Sequence, residues 1–265
     1  NVARTLAALS NTVGLSSRVG ADREGVELLD YVTRLDITAV SIQTDNTRPT
    51  ACYTAVLDHT GNLILGLADM AIYDDFKPAH WQHGKQEIQH WNHWCVDTNL
   101  PADTLHYLAS KKAKRSLFAV VTSPAKAHRL REVLPTLDAV FANNAEADTL
   151  VNSNTGTLQT IEEQARALCD LGALRAIVTA GVNGAAWADP DRSGHIASPS
   201  ISPQSVSGAG DVLAGTTIAA LLSGETLEQA LTYGTCAATL STLSDMNDPH
   251  LSWPMIKEKL AHNDA

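Results

Sequence analysis

From Cys95 to Ala238 short apolar runs alternate with stretches of helical period, and this alternation constrains the fold more than any other feature of the chain. Cys95–Asp97, Leu117–Val121, Ala139–Ala142 and Ala176–Thr179 are brief and almost free of polar interruption, as strands buried on both faces are. Between them Pro101–Ala113, Ala125–Leu134, Ala145–Val151 and a stretch ending at Leu171 read as helices, the last opened by the capping box Thr160-x-x-Glu163. A further helix ends near Gly224, and Thr226-x-x-Gln229 caps another that runs through Ala238. Strands joined through helices lie parallel and are covered on both sides. The predicted class is therefore α/β with a central, mostly parallel sheet, whose ligands belong at the carboxyl ends of the strands.

The first third is less regular. Val2, Leu6 and Leu9 mark a helix, Val13–Val19 a strand, Asp22–Leu35 a helix with Val26, Leu29 and Val32 on one face, and Ala39–Ile42 a strand. Thr50–Leu57 and Leu63–Leu67, separated by the turn cluster Asp58–Asn62, predict an antiparallel hairpin, a β-flap inserted at about residues 44–68. Residues 78–94 are polar and rich in His and Trp. His80-x-x-His83 and His90-x-x-His93 have one-turn spacing, but with few acids or thiols beside them they read as a solvated helix with aromatic anchors, not a metal site.

A net charge of −10 and a pI near 5.4 argue against nucleic acid or an anionic membrane as partner, since neither offers an acidic protein a counterion gain. The four cysteines lie far apart, which predicts neither a zinc site nor a disulfide framework and fits a reducing, cytoplasmic setting. The chain opens at Asn1 already inside a helical pattern, so upstream sequence is expected to be missing.

Ser207-Gly208-Ala209-Gly210-Asp211 precedes the apolar run Val212–Gly215. Glycines at alternate positions keep side chains away, so that successive N–H groups at a helix start converge on an anion. Asp211 would repel phosphate as a ligand, yet it suits a base taking a proton from an attacking hydroxyl. The same residues also fit a plain glycine turn, with Asp211 favouring the helix dipole. Asn143-Asn144-Ala145-Glu146 stands where a strand meets a helix. Asn143 can donate to phosphate and Glu146 offers the hard oxygen that Mg²⁺ prefers, or the pair is a helix cap. Thr179, Gly181 and Gly184 at a third strand end permit close approach of a ligand, or make only a turn.

Together these three strand ends resemble, in their order, the ribokinase-like (PfkB-type) family of carbohydrate and nucleoside kinases. Ser207–Asp211 is similar to its C-terminal signature, Asn143-x-x-Glu146 to its magnesium and phosphate motif, Thr179-x-Gly181 to its nucleotide loop, and Asn1-Val2-Ala3-Arg4 to the end of its N-terminal signature. Thr50–Met70, Val96–Leu100, Ser123–Lys126 and Asn247–Ser252 are similar to its pseudouridine-kinase branch. The chain departs from the family at Ser205, where Asp or Asn is usual, at Phe141-Ala142, where Lys-Pro is usual, and at Val120–Ser123, where Asp-Pro-Val-Ser is usual.

The resemblance implies one kinase domain over residues 1–265, with the flap as a lid. It implies ATP and Mg²⁺, and pseudouridine phosphorylated at its 5′-hydroxyl. Asp211 would be the base and Gly208, Ala209 and Gly210 the phosphoryl cradle. Asn143, Thr179, Gly181, Gly184 and Asn247 would bind nucleotide, Glu146 and Asn143 would hold the metal, and Asn1, Thr50, Asp69, Asn99, Lys126 and Asp211 would bind the acceptor. It admits a homodimer and a fused pseudouridine-5′-phosphate glycosidase domain. Ribose, adenosine or fructose as acceptor, or a binding module without turnover, are the alternatives.

Overall fold

The computed structural model describes residues 1–57, 63–83, 90–151, 160–199, 208–243 and 251–263. Six strands form the central sheet: β5 (His93–Asp97), β6 (Ser116–Val120), β7 (Ala139–Asn143), β8 (Ala176–Thr179), β9 (Ala185–Ala188) and β10 (Ser193–Ile196), in spatial order β10-β9-β8-β7-β6-β5. The first four are mutually parallel; β9 and β10 add an antiparallel edge. No strand pattern marks that edge in the sequence. Its strands are four residues each, and β9 is Ala-Ala-Trp-Ala, too short and too poor in β-branched residues to register by pattern.

Alternate residues of each strand feed opposite faces, as the two-residue period requires. Leu117, Ala119, Val140, Ala142, Ala176 and Val178 pack with Leu105, Leu130, Leu150, Ile161 and Leu168. These come from α4 (Ala102–Lys111), the segment after α5 (Pro124–Ala127), α6 (Asn144–Val151) and α7 (Ile161–Asp170). Phe118, Ala139, Phe141, Ile177 and Trp187 turn the other way, onto Leu213 and Ile218 of α8 (Ala209–Leu222) and Leu227 and Leu231 of α9 (Leu227–Leu243). Both faces are thus covered. α8 carries no charge after Asp211 and is buried from Val212 to Ala220, as befits a helix apolar all round. α10 (Trp253–Asn263) closes the chain against α9.

Helix α1 (Val2–Ala8) crosses α8 where Gly215 faces Thr5: a Cβ there would lie 2.8 Å from Thr5 Cβ. Strands β1 (Gly14–Gly20) and β2 (Thr38–Asp45) form a separate parallel pair, joined through α2 (Arg23–Arg34). In α2 the buried residues are Gly25 and Val32, while Val26 is exposed, so the expected apolar face is rotated. The rotation follows from Gly25, which packs against the Gly20 carbonyl. The hairpin is present as β3 (Cys52–Leu57) and β4 (Leu63–Asp69), antiparallel; its turn, residues 58–62, lies outside the described residues. In the short helix α3 (Pro78–His83), Trp81 is buried and stacks on Phe76 with ring centroids 5.1 Å apart.

One expected helix breaks. Ala125–Leu134 is α5 followed by 3-10 turns at His128–Leu130 and Leu134–Thr136. Pro135 disfavours α geometry at the residue before it, and the short α5 starts on Pro124. The break leaves Lys126 and Arg129 pointing at one loop.

Candidate active site

The carboxyl ends of β6, β7 and β8 and the start of α8 enclose a cleft of about 270 Å³, lined among others by Thr122, Asn143, Glu146, Thr179, Gly208, Gly210 and Asp211. Gly208 caps α8 in the left-handed region at φ 81°, a conformation that costs glycine least. The first intrahelical bond at this end runs from Val212 N to Gly208 O at 3.0 Å. The N–H groups of Ala209, Gly210 and Asp211 therefore precede the helical ladder and aim outward. A Cβ placed on Gly210 would meet no atom within 4 Å. The glycine there is not demanded by packing, and the space above it is open, which fits a phosphate cradle.

Asp211 follows on the first turn, with Oδ2 accepting from Asn1 Nδ2 at 2.8 Å. The chain start and the cradle, 210 positions apart, thus meet at one carboxylate. Across the cleft Asn143 and Glu146 close a reciprocal capping box: Asn143 N donates to Glu146 Oε2 at 2.8 Å, and Glu146 N to Asn143 Oδ1 at 3.0 Å. The structure therefore realises the cap reading in full, and does so without consuming the second carboxylate oxygen. Burial pushes the Glu146 carboxyl above its ordinary value; the Asn143 N–H opposes this, and the nearby Asp211 charge adds to it.

Glu146 and Asn143 suit a hard cation. Among the described residues no three His, Cys, Asp or Glu side chains converge on one point. Mg²⁺ held here would thus keep much of its water and take phosphate oxygens, as that ion commonly does.

The third strand end is a tight turn, with Gly181 at φ 57° and Gly184 at φ 87°. The two glycines differ in what requires them. Gly184 is pressed against the Ile196 carbonyl of β10, whereas a Cβ on Gly181 would meet nothing within 4 Å. Gly184 is needed by packing; only Gly181 and Thr179 leave room for a ligand.

A second polar group gathers beyond Asp211, at the end of β5. Asp97 Oδ1 accepts from Asn99 N at 2.7 Å, and Lys126 Nζ donates to Asn99 Oδ1 at 2.7 Å. Burial raises the Asp97 carboxyl; the Asn99 bonds and the Lys126 charge pull the other way, and Asp211 is close enough to add to the rise. Burial also lowers the Lys126 ammonium, with Arg129 contributing in the same direction. Tyr73 joins this group: burial raises its hydroxyl, a bond with Ser17 opposes, and Asp97 adds. Cys95 keeps an exposed edge yet is crowded by protein, and this desolvation, with Asp97 and Asp211 adding to it, pushes its thiol up to about 12. Such a thiol is protonated at neutral pH and is no nucleophile.

The structure thus brings together Asn1, Asn143, Glu146, Thr179, Gly208, Gly210 and Asp211, with Asn99 and Lys126 beside Asp97. Thr50 is different. It is buried, its hydroxyl donates to Asp22 Oδ1 at 2.5 Å and accepts from Gly20 N at 2.8 Å, so no hydroxyl hydrogen remains for a ligand. Its place is to tie the root of β3 to the β1–α2 turn. Asp69 is exposed at the end of β4, opposite Cys52, with Oδ1 accepting from Ala71 N at 3.3 Å. Asn247, Ser205 and Ser207 lie outside the described residues. No motif in the sequence singles out Asp97, Tyr73 or Ser17, which the fold gathers into this polar group. For Asp97 the only local signal is an acid closing an apolar strand run one residue short of a turn.

A family model described as "pfkB family carbohydrate kinase" matches residues 1–247. The pseudouridine kinase of Escherichia coli (strain K12) is 24% identical over 255 residues, covering 95% of this chain and 81% of that protein. The guanosine-inosine kinase of Exiguobacterium acetylicum is 24% identical over 238 residues, covering 88% and 78%. Among solved structures, a carbohydrate kinase from Agrobacterium tumefaciens superposes with a TM-score of 0.83 at 28% identity, covering 98% of this chain and 84% of its own.

Proposed function

The chain belongs to the pfkB family of carbohydrate kinases, phosphotransferases with a hydroxyl acceptor, and from that premise we propose that it phosphorylates the 5′-hydroxyl of a nucleoside, pseudouridine, with ATP and Mg²⁺. The observation that carries the chemistry is the single cleft in which an open N–H cradle, Asp211 and Glu146 face one another. Two relatives named for nucleosides, each aligned over most of this chain, support the acceptor class; the segments Thr50–Met70 and Val96–Leu100 support pseudouridine within it.

In this reading Asp211 accepts the proton of the acceptor hydroxyl as its oxygen bonds to the γ-phosphorus. The bond from that phosphorus to the β–γ bridging oxygen breaks, ADP leaves, and Asp211 later returns the proton to solvent. The N–H groups of Ala209 and Gly210, with those flanking them, stabilise charge on the moving phosphoryl group. Asn1, bonded to Asp211, stands where it can orient the acceptor beside the base. Mg²⁺, held through Glu146 and Asn143, would neutralise phosphate charge. The β3–β4 hairpin would close over the acceptor and exclude water, which otherwise competes for the phosphoryl group. Residues 1–265 are taken as one kinase domain with that hairpin as its lid.

Discriminating pseudouridine from uridine requires polar groups at the base edge, because leaving such groups unpaired is costly. The purified protein with Mg²⁺ and ATP should prefer pseudouridine to uridine, guanosine, adenosine, ribose and fructose in kcat/KM. Asp69→Ala should lose more on pseudouridine than on any weaker acceptor. Equal or better kcat/KM for adenosine or a free sugar removes the acceptor and leaves the family; calorimetric ATP binding with no turnover on any acceptor favours a binding module.

A further inference from the structure

Arg129 occupies the broken helix after β6. Its Nη1 lies within bonding distance of three consecutive carbonyls, 3.2 Å from Thr98 O, 3.0 Å from Asn99 O and 3.4 Å from Leu100 O. Its Nη2 is 3.7 Å from Asp74 Oδ1. Three successive carbonyls reach one cation only where the chain turns. Here it does: Asn99 N bonds Asp97 Oδ1 at 2.7 Å and Leu100 N bonds Asp97 O at 3.3 Å. Converging carbonyl dipoles repel one another, and a guanidinium with its planar fork of donors removes that repulsion.

Lys126, three residues earlier, holds the same turn through Asn99 Oδ1. Positions three apart in a helical segment are neighbours on one face, so both cations reach the same turn. Asp74 belongs to the segment that leaves the β3–β4 hairpin. That segment is gripped from two more sides: Arg18 Nη1 reaches Ile72 O at 3.4 Å, and Arg48 bonds the Ala71 carbonyl and pairs with Asp75 at 2.6 Å.

We propose that Arg129 is a positioning residue for acceptor binding, locking the Thr98–Leu100 turn that fixes Asn99 against Asp97 at the end of β5 and tying that turn to the root of the hairpin. It touches neither the reacting hydroxyl nor a phosphate. The inference rests on the reading of this cleft as the acceptor site, and it adds a mechanical link between lid and acceptor floor.

Amide hydrogen exchange and kinetics on Arg129→Gln, Arg129→Lys and Asp74→Asn test it. In Arg129→Gln, exchange at residues 97–101 and 71–77 should quicken by roughly tenfold or more, the loss expected for bonds to a charged donor, while residues 139–150 stay at wild-type rates. KM for the acceptor should rise about tenfold with KM for ATP within about twofold, as for loss of ground-state acceptor binding. Arg129→Lys should restore protection at 97–101 but not at 71–77, and Asp74→Asn, on an exposed side chain, should loosen only 71–77. Quickened exchange throughout, equal changes in both KM values, or wild-type exchange in Arg129→Gln overturns the proposal. If Arg129→Gln does not fold, the Lys and Asp74 variants decide by the same pattern. If the wild type phosphorylates no nucleoside, the proposed function fails, and the exchange arm still judges the link.

Discussion

Glu146 has two roles in the folded protein, and they can be separated by substitution. Its Oε2 accepts from Asn143 N in the capping box, a hydrogen bond that contributes about 0.5–1.5 kcal/mol in comparable settings. Opposing this, burial raises its carboxyl, with Asp211 adding to the rise, so the ionised form is less favourable in the fold than in the unfolded chain. The sign follows. The native state keeps its proton to higher pH than the unfolded state, so stability falls as pH climbs from the unfolded carboxyl value through the raised folded one, and below that window the penalty is absent.

Glu146→Gln keeps an acceptor oxygen for Asn143 N and removes the buried charge. Without metal at neutral pH it should match or exceed the wild type in stability, and its stability should lose the pH dependence that Glu146 imposes. Glu146→Ala should lose the Glu146 half of the box and melt a few degrees lower, since each ~1 kcal/mol moves a chain of this size by about 2–4 °C. Both should need more Mg²⁺ for half-maximal rate, with acceptor affinity unchanged. Thermal unfolding from pH 5 to 8, paired with a metal titration of the rate, reads both roles. A Gln variant that destabilises as much as Ala would refute the burial argument, and an unaltered Mg²⁺ requirement in both would reduce Glu146 to a cap.

Asp211→Asn preserves the Asn1 contact geometry and the helix start, so it should fold and bind normally while kcat drops by about two to four orders of magnitude, the range for a lost general base; a rate within about threefold of wild type removes Asp211 from the mechanism. Gly210→Ala meets open space at a helical position where Ala is favoured over Gly by up to about 1 kcal/mol. It should therefore raise the unfolding midpoint while lowering kcat/KM for ATP, and a stabilised variant with unchanged kinetics would empty the cradle of its proposed ligand.

What the sequence made legible follows from the range of the forces involved. The strands β5 to β8 and their covering helices are written in local apolar period, and the Thr160–Glu163 box in four residues, so both could be read directly. Gly208 and Gly210 were legible as glycines, but only the structure separates Gly210, which faces open space, from Gly184, which is pressed against a neighbouring carbonyl. Thr50 misled because its motif neighbours are real, whereas its hydroxyl answers to Asp22, 28 positions away, a partner no local pattern names. The same holds for the broken helix at Ala125–Leu134. Its periodicity is helical, yet its geometry serves three carbonyls at Thr98–Leu100, and a segment's own sequence carries no record of the loop that its cations must reach. Residues that fail their local rule are therefore where long-range demands concentrate: in this chain both Thr50 and Arg129 hold the base of the hairpin, one to the β1–α2 turn and the other to the Thr98–Leu100 turn.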